Sequence, residues 1–348
     1  MTCERMEAIL AGFAGASVAV LGDFFLDKYL VLEDALTEVS VETGLDAYQV
    51  VDRKLSPGAA GTVTNNLTAL EAGAVFAVGF TGDDGEGFEL RQGLERTGVD
   101  MCGLLRRPDQ FTPTYTKPML RDSSGQEREL NRLDIKNRRP TPADLEDALL
   151  DTLQGLLPRV QAVILADQVV ERDLGVITDR VRDAVARMAR GNPRVHFLAD
   201  SRASIGLFRD VMIKPNKIEA ARSCGFAGTE DELSAEDARR YGTQLAARNG
   251  RPAFVTAGPE GIVVFDAESV THVPGIQAPP PIDIVGAGDS CTAGIVLAMC
   301  AGASPREAAL VGNCVASLTV QQIGTTGTTS RPEVLRRFSD HAESFAGI

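Results

Sequence analysis

With 348 residues, 44% of them hydrophobic and 24% charged, the chain has enough apolar material for one large α/β domain or two ordinary ones. Its net charge of −13, from 35 basic and 48 acidic residues, argues against nucleic acid or an anionic membrane as partner, although a locally basic site remains compatible with it. Six cysteines without a Cys-x-x-Cys pair and three scattered histidines argue against a zinc site.

In chain order, residues 8–21 follow Glu4, Arg5 and Glu7 rather than a basic leader, and are too few to span a bilayer. They read as a first helix running into a first strand at 18–22, and the protein reads as cytoplasmic. Helical patterns at 60–72 and 85–97 flank a strand at 75–80, and a helix at 142–157 precedes a strand at 162–166. A helix at 173–190, short strands at 195–199 and 211–213, and a helix at 235–249 follow. Strands at 253–256 and 262–265 then give way to helices at 287–301, 305–322 and 332–345. This alternation predicts an α/β fold, three layers deep, with a mostly parallel central sheet.

Residues 28–55 and 104–134 break the rhythm with period-two fragments such as 115–121 and 127–133. They predict a small β-strand lid inserted into an α/β body of residues 1–27, 56–103 and 135–348.

Asp283-Ile284-Val285-Gly286-Ala287-Gly288-Asp289 opens the helix at 287–301. Small residues at Gly286, Ala287 and Gly288 let the backbone aim amides at one point, with the positive end of the helix dipole behind them. Asp289 follows this anion hole as a candidate proton acceptor, the pairing that phosphoryl transfer to an alcohol requires. Read alone, the turn equally suits a helix cap. Asn216 and Glu219, three apart at a helix start, suit either a Mg²⁺–phosphate cluster or an N-terminal cap. Thr256, Gly258 and Gly261 suit a hairpin turn and a close approach of phosphate or ribose. No Walker loop is present in the sequence.

Five motifs in order resemble the PfkB (ribokinase-like) carbohydrate kinases, in particular the kinase domain of D-glycero-D-manno-heptose 7-phosphate kinases. They are Leu21-Gly22-Asp23-Phe24-Phe25-Leu26-Asp27; Pro57-Gly58-Ala59-Ala60-Gly61-Thr62 with Gly79 and Thr81-Gly82-Asp83-Asp84; Lys214-Pro215-Asn216-Lys217-Ile218-Glu219; Val255-Thr256-Ala257-Gly258 with Gly261; and the turn ending at Asp289. The resemblance implies a ribokinase-like fold and ATP-dependent phosphorylation of a sugar or sugar phosphate, with Asp289 as base. It implies sugar contacts at Asp27, Gly58, Ala59, Thr62 and Asp167, with Lys117 and Arg132 meeting a substrate phosphate. It places nucleotide at Asn216, Glu219, Thr256, Gly258, Gly261 and Asn313, with Mg²⁺ held by Asn216 and Glu219 through water or phosphate. Asp283, Gly324 and Thr328 align with a monovalent-cation site, K⁺ in some members. A homodimer through the lid follows from the same likeness; the heptose proteins often carry a second, nucleotidyltransferase domain, and 348 residues are expected to leave no room for one.

Four departures concern the acceptor. Ala59 stands where the family usually has a second glycine, Thr62 where it has Asn, Met119 where the heptose kinases have Arg, and Ile284 where Thr is usual. A catalytically silent sugar- or nucleotide-binding relative, or a nucleoside or vitamin kinase of the same fold, stays open beside the sugar kinase.

Overall fold

The computed structural model describes residues 1–266 and 269–345; positions 267–268 and 346–348 of the expected body lie outside the described residues. Nine strands form the large sheet, in the order Val270–Pro274, Gly261–Phe265, Ala253–Thr256, Met212–Ile213, His196–Ser201, Ala162–Asp167, Ser17–Gly22, Ala74–Gly82, Asp100–Arg107. All neighbours are parallel except the final hairpins, Ala253–Thr256 with Gly261–Phe265 and the latter with Val270–Pro274. Apart from the edge strand Asp100–Arg107, the parallel strands are buried on both faces, which is why they read as continuous apolar runs. Along Ser17–Gly22, Val18 and Val20 enter one core while Ala19 and Leu21 enter the other. Helices Cys3–Gly12, Ala60–Ala69, Ala287–Cys300, Pro305–Thr319 and Arg331–Ser339 build the first core, and Ala143–Leu156, Asp179–Gly191 and Ala235–Asn249 the second.

The inserted strands form a separate sheet in the order Leu133–Ile135, Thr114–Arg121, Phe24–Glu33, Val50–Ala59, with Glu127–Glu129 also pairing Thr114–Arg121. Their bounds differ from the sequence expectation. Asp100–Arg107 pairs with Ala74–Gly82 in the large sheet, so 104–107 belongs to the body; Phe24–Glu33 enters the small sheet before residue 28.

Two further expectations shift. The helix expected from 173 begins only at Asp179, because Thr178 Oγ1 caps it by accepting the Val181 N–H (3.1 Å). The residues before it bend around Asp23, whose carboxylate accepts the N–H groups of Gln168 (2.9 Å), Val169 (3.0 Å) and Val176 (2.7 Å). Strand Val270–Pro274 gives little hydrophobic signal because it is an edge strand with one well-buried residue, Val273.

Candidate active site

The carboxyl ends of the parallel strands gather the polar chemistry, as open α/β sheets do. Asp23 follows Ser17–Gly22, Asp167 ends its strand, Asp200 and Ser201 end theirs, Lys214 follows Met212–Ile213, and Thr256 closes the next strand. Over this crest starts helix Ala287–Cys300. Its N-cap is Gly286, at φ 79° and ψ 0°, a left-handed conformation that costs glycine nothing. A Cβ there would crowd Thr62 Cγ2 at 3.3 Å, so buried Thr62 packs under the turn.

No side chain caps this helix. Ala287 spends its N–H on the Ile284 carbonyl (3.2 Å), closing the turn instead of contributing to the anion hole as expected. The first-turn amides of Gly288 and Asp289 are the ones left to an anion, reinforced by the helix dipole. The Asp289 carboxyl is pushed up to about 7 by burial and by the Asp200 charge, against the pull of Lys214 and Arg202 and with a smaller push from Asp27. Asp27, the expected sugar-holding carboxylate, thus acts on the candidate base through its charge.

Asp27 lies on Phe24–Glu33, in register with Ser56 and Tyr115. A Cβ on Gly58 would overlap its Oδ2, so glycine at 58 makes room for the carboxylate. Ala59 holds φ 54° and ψ −117°, a region L residues rarely adopt, which accounts for the glycine usual there. Lys117 Nζ lies 4.0 Å from Asp27 Oδ1, bonds Tyr29 Oη at 2.9 Å and sits over the Tyr29 ring. Arg132 is paired with Asp134 (2.7 Å) and stacked on Tyr115. Burial pushes the Asp27 carboxyl up, and Lys117, Arg132 and Arg202 oppose it. Of the two expected lid cations, Lys117 approaches Asp27 directly, while Arg132 is held by Asp134 and acts on Asp27 only through its charge. Arg132 and Arg202 also line a cavity of about 200 Å³ with Phe25, Lys136 and Asn137.

A second cavity, about 270 Å³, is lined by Thr256, Gly258, Gly261, Ile284, Gly288 and Asn313, among others. It joins Thr256, Gly258, Gly261 and Asn313 to Gly288 of the anion hole, whereas Asn216 and Glu219 line neither cavity. Asn313 donates its amide to Val273 O (3.2 Å) and Pro274 O (3.0 Å), so it also ties the edge strand to helix Pro305–Thr319.

Asn216 and Glu219 form a reciprocal capping box: Glu219 N–H donates to Asn216 Oδ1 and Asn216 N–H to Glu219 Oε2, both at 2.8 Å. The cap that the spacing allowed is thus present. Glu219 keeps its second carboxylate oxygen outside the box, and its carboxyl is pushed up to about 7 by burial and Asp200, against Asn216, Lys214 and Arg202.

Asp167, the other expected sugar contact, is the last residue of a buried strand, 5% exposed, and accepts the Ser201 hydroxyl at 2.6 Å; like Asp27 and Asp289 it lines neither cavity. Asp283 accepts the N–H groups of Val285 and Gly324, each at 3.0 Å, while Thr328 is held through Gln322 (2.6 Å).

Sequence reasoning left Asp200, Lys214 and Arg202 without roles. Lys214 Nζ bonds Asp200 Oδ2 at 2.9 Å, and Thr292 Oγ1 donates to the same oxygen at 3.0 Å. The signal available was a charged residue at the end of a short apolar strand.

The family model described as pfkB family carbohydrate kinase matches residues 37–332. Bifunctional protein HldE of Caulobacter sp. (strain K31) is 31% identical over 349 residues, 98% of this chain and 66% of that protein. Bifunctional protein HldE of Wolinella succinogenes is 28% identical, over 92% of this chain and 64% of its own length, so the chain spans somewhat under two thirds of these two relatives. Arabidopsis thaliana ribokinase, solved with ribose and ATP, superposes with a TM-score of 0.68 at 20% identity, covering 92% of this chain and 98% of that one. Phosphofructokinase-2 from Escherichia coli, solved with potassium, gives 0.70 at 15% identity over 94% and 99%. These two likenesses establish a ribokinase-like fold.

Proposed function

Because this chain belongs to the pfkB family of carbohydrate kinases, we propose that its cleft transfers the γ-phosphoryl group of ATP to a hydroxyl of a sugar or sugar phosphate, a heptose 7-phosphate-like sugar first among acceptors. The observation that carries this reading is Asp289, set at the uncapped start of helix Ala287–Cys300 and coupled electrostatically to Asp27. Asp27 holds sugar hydroxyls by accepting their hydrogen bonds, in a space that Gly58 leaves open. Asp289 receives the proton of the attacking hydroxyl, and the amides of Gly288 and Asp289 hold phosphoryl oxygens. The small sheet acts as a lid that keeps out water, the competing acceptor.

Mg²⁺ suits the donor set. The free carboxylate oxygen of Glu219 and the neighbouring Asn216 would hold it through water or phosphate, the way this ion binds with few protein ligands. When bound, Mg²⁺ neutralises phosphate charge. We assign the loop of Asp283, Gly324 and Thr328 to a monovalent cation, K⁺ first. Among the described residues no helix is long and apolar enough to cross a membrane, and dependence on ATP suits a cytoplasmic setting.

ADP formation from ATP across heptose 7-phosphate, fructose, ribose and fructose 6-phosphate, in K⁺ and in Na⁺ buffer, tests the activity. Sugar-dependent ADP is expected. Its absence with every acceptor would leave a silent binding relative.

The small sheet and the hairpin Glu38–Val39/Asp46–Ala47 expose Val39, Val41, Leu45 and Leu133 at 66%, 97%, 69% and 63%. A second copy of the chain, seated lid to lid, would cover them. Sedimentation should show a dimer that V41E/L133E converts to monomer; a wild type that sediments as monomer at micromolar concentration rules this assembly out.

A further inference from the structure

Asp23 is 3% exposed and has no ion-pair partner among the described residues. A carboxylate buried without a cation is costly to keep. What it holds is backbone: Oδ2 accepts the N–H groups of Gln168 (2.9 Å) and Val169 (3.0 Å), and Oδ1 accepts that of Val176 (2.7 Å). The fit is close from the other side as well, since a Cβ on Gly175 would lie 2.7 Å from Asp23 Oδ1 and 2.8 Å from Val169 Cβ. The main chain adds two ties, from Asp23 N–H to Ala166 O (3.1 Å) and from Ala60 N–H to Asp23 O (3.0 Å). One residue thus joins two central strands, helix Ala60–Ala69 and the segment 168–176.

That segment is a wall of the cavity of about 200 Å³. Gln168, Val169, Glu171 and Leu174 line it together with Phe25 and Tyr115 of the small sheet. Glu171 Oε1 accepts a hydrogen bond from Lys136 Nζ (3.3 Å), so the segment also grips the end of the lid. Glu171 Oε2 is buried with no hydrogen-bond partner among the described residues, an acceptor that a sugar hydroxyl would satisfy. Arg132 and Arg202, which line the same cavity, act on Asp27 through their charge.

We propose that Asp23 is a positioning residue for the acceptor: by seating segment 168–176 it sets the cavity wall against which a sugar phosphate rests, and so governs acceptor affinity rather than the rate of transfer. The inference rests on the kinase reading. Asp23 itself makes no bond to substrate. A segment that adopts its bound shape only part of the time weakens binding in the same proportion. Three hydrogen bonds to one buried carboxylate keep that fraction high.

The experiment uses the full chain with D23N and G175A, and reads kcat, the KM of acceptor and of ATP, and calorimetric affinity for heptose 7-phosphate and fructose 6-phosphate. Asn keeps one oxygen and turns an amino group toward backbone N–H groups, so at least one of the three bonds is lost. G175A pushes the segment off the same carboxylate and leaves the carboxylate in place. Each should raise the acceptor KM, and weaken sugar-phosphate binding, by about tenfold, the size of one charge-assisted hydrogen bond. Because segment 168–176 lines no part of the cavity of Thr256 and Asn313, kcat should stay within about threefold and the ATP KM within about twofold. S234A controls for a general loss of stability. It removes the cap of helix Ala235–Asn249, which lines neither cavity, where Ser234 Oγ accepts the Asp237 N–H (3.1 Å), and it should leave both KM values unchanged. An acceptor KM within about twofold of wild type in both D23N and G175A would overturn the proposal. So would an equal rise in the two KM values, or the same acceptor-specific rise in S234A. If D23N does not fold, G175A decides; failure of both to fold assigns Asp23 to the fold alone and overturns the proposal as well. A wild type that binds heptose 7-phosphate without turning it over sinks the kinase reading, and the affinity of D23N for that sugar still judges Asp23; one that binds neither sugar phosphate sinks both.

Discussion

Asp289→Asn should lower kcat by roughly 10²–10⁴-fold, the usual contribution of a positioned general base, with ATP affinity nearly unchanged. Asn keeps the shape of the side chain and the amides of the first helical turn, so the anion hole survives and only the proton acceptor is lost. A variant retaining more than about a tenth of wild-type kcat would contradict the role. The pH profile supplies a second reading of the same group. The Asp289 carboxyl is pushed up to about 7, so it is protonated below that pH and cannot take the hydroxyl proton. Wild-type kcat/KM should therefore be lost as pH falls through about 7 and level off above it. Glu219 is pushed into the same range by the same Asp200 charge. The two are distinguished by the residual activity of Asp289→Asn: a limb that vanishes belongs to Asp289, and one that persists unchanged belongs to Glu219.

The parts of this site legible in the sequence are those whose signal is local. The turn before Asp289, the hairpin around Gly258 and Gly261, and the strand ending at Gly22 each carry their geometry in neighbouring residues. The spacing of Asn216 and Glu219 showed that a cap was possible but left open whether phosphate also comes there. Lys214, Asp200 and Arg202 were not legible for a different reason. Each is a single charge after a short strand, and only the parallel register that sets Ala199 beside Ile213 brings Asp200 to Lys214. Asp167 was singled out by its place at a strand end, and the parallel register that sets it beside Ser201 supplies the hydroxyl partner that the sequence did not show. The lid boundary was misplaced at 104 because Asp100–Arg107 is an edge strand in which only Gly103 and Leu104 are buried, so it lacks the continuous apolar run of the central strands.

Asp27→Ala should reduce kcat/KM for the acceptor by ~10²–10⁴-fold, with the KM for ATP little changed. Two hydrogen bonds from sugar hydroxyls to a carboxylate are worth about 1.5–3 kcal/mol each, and every 1.4 kcal/mol is about tenfold. The loss falls on acceptor binding and orientation because Asp27 sits on the small sheet, away from the cavity lined by Thr256 and Asn313. Stability gives an independent check on Asp27→Asn. Burial raises the Asp27 carboxyl despite Lys117, Arg132 and Arg202, so the folded state prefers its neutral form. A carboxyl whose folded pKa is raised costs the fold stability as pH climbs from its unfolded value through its folded one, and a neutral isostere removes that penalty. At pH 8, Asp27→Asn should therefore be at least as stable as wild type in a thermal melt while turning over the sugar poorly. A variant that loses stability and activity together would show that Asp27 serves the fold, and the acceptor site would have to be sought among Lys136, Asn137 and Arg202 instead.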